Sequence, residues 1–388
     1  MTTPENKKAG EMKPGTLLAQ ALGTIEPVYG ELVPPVHFAT TYERAEDGSY
    51  PRGRVYGRDQ NPSYDQAEQV LARLEGGEEA LLFASGMAAA TAVFLALSPG
   101  DHVVAPKVMY WALRKWLMET GTRLGLKVEL VDADDIDAIA RAVKPGRTKL
   151  VWLETPANPT WIVTDIAAAA DIARKAGAAL AVDSTVATPI LTRPIEHGAD
   201  IVMHAATKYL NGHSDVLAGA LIAARKDEFW ARVRGNRPGI GGILGPMEAW
   251  LLLRGMRTLH LRVAQASRSA AAIAAFCQTH AGCIGVLYPG LPNSPGHAAA
   301  ARQMQGGFGG MLSIRTKGGE QGAFKVAAAL QLFKRATSLG GVESLVEHRA
   351  SIEGAGSPAP PDLLRLSVGI EETDDLIADL DRALNTVR

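Results

Sequence analysis

Short apolar runs that alternate with helical segments, two of them leading into chemically active side chains, dominate this chain from residue 102 to about residue 225. The runs are His102–Ala105, Lys149–Leu153, Leu180–Val182 and Ile201–Met203, with helical patterns near 111–124, 135–143 and 165–176 between them. Strands that are apolar throughout need cover on both faces, and intervening helices supply it. The pattern therefore predicts an α/β fold with a mostly parallel sheet. In such a sheet, ligands bind beyond the carboxyl ends of the strands. The third run stops at Asp183, and the fourth leads into His204-Ala205-Ala206-Thr207-Lys208-Tyr209-Leu210-Asn211-Gly212. A lysine amine can hold an aldehyde cofactor covalently, and an aspartate can pair with a pyridinium nitrogen.

Two further elements fall at strand ends. Ser85-Gly86-Met87 follows the apolar run Ala80–Ala84 and opens an alanine-rich helix, a place where backbone N–H groups and the helix dipole suit a phosphate. Gly86 can equally be read as a tight turn. Glu154-Thr155-Pro156-Ala157-Asn158-Pro159 leaves the strand Leu150–Leu153, and its two prolines hold Asn158 in a turn. A P-loop, a dinucleotide-binding glycine fingerprint and an HExxH zinc helix are all missing from the sequence. The glycines of GGFGGM at 306–311 lead into a strand and are read as backbone packing.

Upstream, residues 1 to about 53 are rich in Pro, Gly, Thr and Tyr and read as an extended arm, ordered through Val33-Pro34-Pro35-Val36-His37-Phe38. Ser63 with Gln66 forms a capping box, and Tyr64, Ala67, Val70, Leu71 and Leu74 share one helical face before Gly76-Gly77 ends it. Glu248 to about Phe276 reads as one long helical stretch. Residues 283–388, with strands near Gly310–Ile314 and Leu364–Val368, suit a smaller α+β domain. The predicted division is an arm at 1–53, a large domain at 54–255 and a small domain at 256–388.

Composition narrows the class. A chain of 388 residues is long enough for two cores. Forty basic against forty-one acidic residues give a net charge of −1, which argues against nucleic acid or an anionic membrane as the main partner. Cys277 and Cys283 make no CxxC pair, and they point to a reducing cytoplasm. Met1 to Pro14 has no apolar core of a signal peptide, and no apolar run reaches membrane-spanning length. A soluble cytoplasmic protein is expected.

Taken together, these elements resemble the pyridoxal phosphate (PLP)-dependent trans-sulfuration, or Cys/Met metabolism, family of cystathionine γ-synthases, cystathionine lyases and methionine γ-lyases. The resemblance runs from about Leu18 to the C-terminus. It rests on Tyr56-Gly57-Arg58-Asp59-Gln60-Asn61-Pro62-Ser63, Ser85-Gly86-Met87-Ala88-Ala89, Glu154–Pro159, Asp183 and Thr207-Lys208-Tyr209 with Gly212–Asp215. Ser338-Leu339-Gly340-Gly341-Val342-Glu343-Ser344-Leu345 and Arg365–Glu371 complete it.

The resemblance implies an aspartate-aminotransferase-like (fold type I) large domain with a smaller C-terminal α+β domain. It implies that Lys208 holds PLP and shuttles protons, and that Asp183 keeps the pyridine nitrogen protonated. Tyr110 would stack on the ring, and Asn158 would meet its phenolic oxygen. Gly86 and Met87 N–H groups and the Thr207 hydroxyl would hold the phosphate. Arg365 would grip the substrate α-carboxylate, with Ser338 beside it. Tyr56 and Arg58 would come from a neighbouring subunit, which makes the protein a homo-oligomer, a dimer with shared sites assembled as a dimer of dimers. The implied chemistry is β/γ-elimination or γ-replacement on a sulfur-containing or O-acylated amino acid. The Ser338–Leu345 segment stands nearer the γ-synthases than the β-lyases, with cystathionine and methionine lyases as the alternative. A non-catalytic scaffold and an aminotransferase are the rivals from other classes.

Three positions depart from the family pattern. Ala205 stands where a phosphate-binding serine is usual. Trp111-Ala112 replaces small residues after Tyr110. Thr337 occupies a position that otherwise sorts the subfamilies.

Overall fold

The computed structural model describes residues 12–354, 357 and 359–388. Seven strands form the larger sheet: β1 (Glu79–Phe83), β2 (His102–Pro106), β3 (Lys127–Val131), β4 (Thr148–Glu154), β5 (Ala179–Asp183), β6 (Ile201–His204) and β7 (Gly219–Ala223). Their order is β1-β7-β6-β5-β4-β2-β3. β7 runs antiparallel to its neighbours β1 and β6, while β6, β5, β4, β2 and β3 pair in parallel. Side chains alternate across the sheet. Leu150, Trp152, Ala181 and Met203 pack on one face with Val93 and Phe94 of the helix Gly86–Phe94. Val151, Leu153, Leu180 and Val182 pack on the other with Ile139 and Ile166. Cover on both faces explains why the central strands read as unbroken apolar runs.

The smaller sheet holds β8 (Cys283–Leu287), β9 (Met311–Thr316), β10 (Lys334–Arg335), β11 (Leu345–His348) and β12 (Leu363–Ser367), in the order β10-β11-β12-β9-β8. All pairs except β10–β11 are antiparallel. The helix Leu259–Thr279 belongs to both cores. Leu259 and Val263 pack with the large-sheet cluster, and Ala270, Ile273 and Ala274 with the small-sheet cluster.

Several local expectations change. The helix Pro62–Glu75 begins at Pro62, so Asn61 rather than Ser63 caps it, accepting from Ser63 N at 2.9 Å. Proline at the first helical position moves the start forward. Ser63 Oγ instead accepts from His37 N, and Gln66 reaches back to the Ala21 carbonyl. The stretch from Glu248 is two helices, Pro246–Met256 and Leu259–Thr279. Arg262 caps the first by donating to the Gly255 carbonyl at 2.8 Å. The arm has a short helix, Pro14–Gln20, with Leu17 and Leu18 buried, before irregular chain. Its residues 1–11 lie outside the described residues. Sequence reading missed β3, a half-exposed edge strand, and β7, whose small residues carry little strand signal. Among the described residues no helix is long and apolar enough to cross a membrane.

Candidate active site

A cavity of about 560 Å³ opens beyond the carboxyl ends of β4, β5 and β6. Ser85, Gly86, Met87, Tyr110, Asn158, Asp183, Thr207, Lys208, Ser338 and Arg365 all line it, together with Glu154 and Arg349. One cavity thus gathers the expected residues with two exceptions. Tyr56 and Arg58 do not line it. They lie on exposed chain, Tyr56 42% accessible, with the Arg58 guanidinium over the Tyr56 ring and 3.6 Å from Asp59.

The larger sheet supplies one wall. Ser85 caps the helix Gly86–Phe94 through its side chain, 3.1 Å from Ala88 N. That leaves the N–H groups of Gly86 and Met87 at the helix start, where no intrahelical acceptor exists. A Cβ on Gly86 would stand 2.9 Å from the Ala205 Cβ, so close approach requires glycine there. Both Thr155–Pro156 and Asn158–Pro159 are cis, and Ala157 pairs with Ile162 to close the turn. Glu154 binds that turn to the neighbouring loop. Its Oε1 accepts from Asn158 N at 3.1 Å and its Oε2 from Tyr110 N at 2.6 Å. Burial and the nearby Asp183 push the Glu154 carboxyl up to about 8. In the sequence Glu154 stands out only as the first residue of the Glu154–Pro159 motif. Its position at the end of a buried strand was the available signal.

Asp183 is buried, which raises its pKa, opposed by hydrogen bonds from Thr185. Its Oδ1 accepts from Thr185 N at 3.0 Å and from Thr185 Oγ1 at 2.5 Å. Thr185 Oγ1 also accepts from Ala205 N at 2.8 Å, which ties Asp183 to the loop before Lys208. The Thr207 hydroxyl donates to the Ala218 carbonyl at 3.2 Å and accepts from Ala218 N at 2.9 Å, so it must turn to meet a phosphate.

The smaller sheet supplies the facing wall. Ser338 has a positive φ of 90° and bridges the two walls. Its Oγ accepts from Lys208 Nζ at 2.8 Å, and its carbonyl accepts from Arg365 Nη2 at 2.7 Å. Gly340, φ 76°, lies against Tyr209, where a Cβ would come within 2.8 Å of the ring. Arg365 sits in β12 opposite Ser313, whose hydroxyl donates to the Pro159 carbonyl and accepts from Trp161 Nε1, each at 2.8 Å. The Asn158 turn and Arg365 are therefore anchored to adjacent strands. Burial, reinforced by Arg365, lowers the Lys208 amine to about 8. Burial likewise lowers Arg365 to about 10, against the pull of Glu347.

This donor set fits PLP. The Asp183 Oδ2 accepts no hydrogen bond from the described residues and borders the cavity, an acceptor left for a ring N–H. Unpaired N–H groups at a helix start match a phosphate, and Lys208 provides an amine for the aldehyde. When bound there, PLP supplies an electron sink for charge developing on the substrate.

Comparison with known proteins agrees with the geometry. The sequence profile of the Cys/Met metabolism PLP-dependent enzymes matches residues 15–385. A cystathionine gamma-synthase of Mycobacterium tuberculosis is 42% identical over 367 residues, covering 92% of this chain and 93% of its own. An L-methionine gamma-lyase of Porphyromonas gingivalis is 40% identical, covering 94% and 95%. The solved cystathionine gamma synthase of Xanthomonas oryzae pv. oryzae in complex with cystathionine superposes with a TM-score of 0.92 at 36% identity, covering 97% of this chain and 98% of that one.

Proposed function

We infer the function of this chain from its family: it belongs to the Cys/Met metabolism PLP-dependent enzymes, and its own reaction is γ-replacement of the cystathionine γ-synthase type. The observation that carries this reading is the single cavity holding a lysine of lowered pKa, a buried carboxylate with a free oxygen and a guanidinium on the opposite wall. The segment Ser338–Leu345, nearer the γ-synthases, places Ser338 between Lys208 and Arg365.

In this reading Arg365 grips the α-carboxylate of an O-acylated amino acid, two N–H groups against two oxygens. Lys208 Nζ would hold the cofactor, and its amine would take the proton from Cα. Ser338 Oγ fixes where that amine lies. Asp183 would keep the ring nitrogen protonated, Gly86, Met87 and Thr207 would hold the phosphate, and Tyr110 and Asn158 would orient the ring. In net terms the Cγ–O bond breaks and a Cγ–S bond to the thiol forms; the acyl group leaves as a carboxylic acid with the thiol's proton, and the proton lost from Cβ on the way is returned. Tyr56 and Arg58, outside the cavity of their own chain, reach the phosphate of a neighbour. The exposed Val28, Tyr29, Leu32 and Phe38 on the same segment give that neighbour an apolar face. The assembly is a dimer with shared sites, paired again into a tetramer. It works in the cytoplasm, where Cys277 and Cys283 stay reduced.

The test is a product assay by mass spectrometry. Purified enzyme receives O-succinylhomoserine, O-acetylhomoserine, cystathionine or methionine, each with and without cysteine. Cystathionine formed from an acylhomoserine and cysteine is the expected result. Ammonia and a thiol from cystathionine or methionine, with no condensation, would replace the synthase by a lyase. Keto acid with an aminated cofactor would make it an aminotransferase.

A further inference from the structure

Arg349, a cavity charge not yet given a role, belongs to a buried line of charges that runs on from Arg365. Arg349 begins the helix Arg349–Glu353 and lines the cavity. It donates through Nη1 to Glu347 Oε2 at 2.9 Å and through Nη2 to Glu353 Oε1 at 2.6 Å. The same Glu347 oxygen lies 2.7 Å from Nη2 of Arg365. Glu353 Oε2 in turn accepts from Ser357 Oγ at 2.7 Å. The four charged side chains are only 4% (Arg365, Glu347), 5% (Arg349) and 6% (Glu353) exposed. Glu347 Oε1 and Arg349 Nε have no hydrogen-bond partner among the described residues.

Burying four charges is costly unless each is paired, and one carboxylate would suffice to balance Arg365. A single carboxylate would, however, cancel the charge that a substrate carboxylate must meet. Arg349 shares the oxygen that faces Arg365, and Glu353 holds Arg349 in that place. Charge then alternates plus, minus, plus, minus along the line from Arg365 to Glu353. The plus at its end, on Arg365, is left only partly neutralised. Its Nη1 has just one long contact, 3.5 Å to Asn158 Oδ1, and remains available.

We propose that Arg349, positioned by Glu353, sets the carboxylate affinity of Arg365 by drawing on Glu347, so that these residues tune substrate binding without touching the reacting atoms. This rests on the reading of Arg365 as the α-carboxylate grip. Arg349 is a positioning residue, and its effect falls on KM more than on kcat.

The test uses the PLP-loaded enzyme and 4-(methylthio)butanoate, methionine without its amine, which cannot displace Lys208 and binds through its carboxylate and apolar tail. Its Kd is measured by calorimetry, and KM and kcat with the amino-acid substrate alongside. Arg349→Met should weaken the analogue about tenfold, the scale of one charge removed at roughly 6 Å in a partly screened interior. Glu347→Gln keeps the shape and the acceptor but removes the competing charge, and should tighten it. The double variant should return to within a few-fold of wild type, with KM following Kd throughout. If both single variants weaken the analogue, the line is a mere brace and the proposal falls. Wild-type affinity in Arg349→Met overturns it as well. Should Arg349→Met fail to fold, Glu347→Gln decides alone: unchanged or weaker binding overturns the proposal. Arg365→Met is the control for the reading beneath. Loss of binding there with no response at 349 and 347 sinks only the tuning, whereas full binding there removes the carboxylate grip and the proposal with it.

Discussion

The two walls of the cavity are held in place by different forces. On the larger-sheet wall, Glu154 and Asp183 end strands packed on both faces, and their carboxylates grip nearby backbone N–H groups. Position there follows from ladder and core. On the smaller-sheet wall, Arg365 is oriented by a carbonyl from a strained loop and by buried side-chain charges. Position there follows from long-range pairing, which a single substitution can retune. The first wall should therefore carry the chemistry and fail completely when changed. The second should carry affinity and fail by degrees.

The largest effect expected is on the first wall. Lys208→Ala should lose turnover by roughly a thousandfold or more, because the amine proposed to hold the cofactor and move the proton would be gone. Borohydride should fix the cofactor on Lys208 in the parent and on nothing in the variant, read by peptide mass. Near-normal turnover would break the comparison at its root.

On the second wall, Arg365→Lys should leave the cofactor spectrum intact and lower kcat/KM about thirty-fold, corresponding to about 2 kcal/mol for one lost charge-assisted bond. A lysine cannot reproduce a planar two-pronged hold. Steady-state kinetics beside the absorption spectrum would show whether the two walls separate in this way.

Arg58 asks whether a third wall comes from another chain. Mixing and refolding Arg58→Ala with Lys208→Ala chains makes half the dimers mixed, each with one intact site if Arg58 is donated across the interface. Activity should recover to about a quarter of wild type. No recovery, with mixed dimers demonstrated by native mass spectrometry, would place Arg58 in its own chain's site.

Lys208 also reports on both walls through pH. In the cofactor-free protein, its acylation by an amine reagent should reach half-maximum near pH 8, because burial and Arg365 disfavour the ammonium. Folding binds fewer protons at Lys208 than the unfolded chain does, so this contribution improves as pH rises from about 8 towards the ordinary lysine range. Arg365→Met should move the acylation midpoint upward. A midpoint that stays put would mean the walls are electrostatically independent.

The smallest effect belongs to Ala205→Ser. A hydroxyl there adds one phosphate hydrogen bond, about 1 kcal/mol or roughly fivefold in cofactor affinity by equilibrium dialysis. Unchanged affinity would show that Gly86, Met87 and Thr207 already saturate the phosphate.

What could be read from the chain alone was whatever is encoded over a few residues. Apolar runs bounded by helices specified a two-faced sheet, and the rule that ligands gather at strand ends then singled out Asp183, Lys208 and the Ser85–Met87 turn. Motif order added Arg365 and Ser338, which no periodicity marks. Several of the missed features depend on partners distant in sequence. Lys208 meets Ser338 across 130 positions, and Glu154 holds Tyr110 from 44 away. Asn61 displaced Ser63 as a cap because Pro62 could begin the helix, while Ser63 found a better partner in His37. Arg349 looks like any surface arginine until folding buries it between Glu347 and Glu353. Local sequence determines which face of an element is apolar and which residue ends it, because propensity and patterning act over one or two turns. Which charges then share a buried space, and so how tightly Arg365 can hold a carboxylate, is decided only when two sheets close on one cavity and water leaves it.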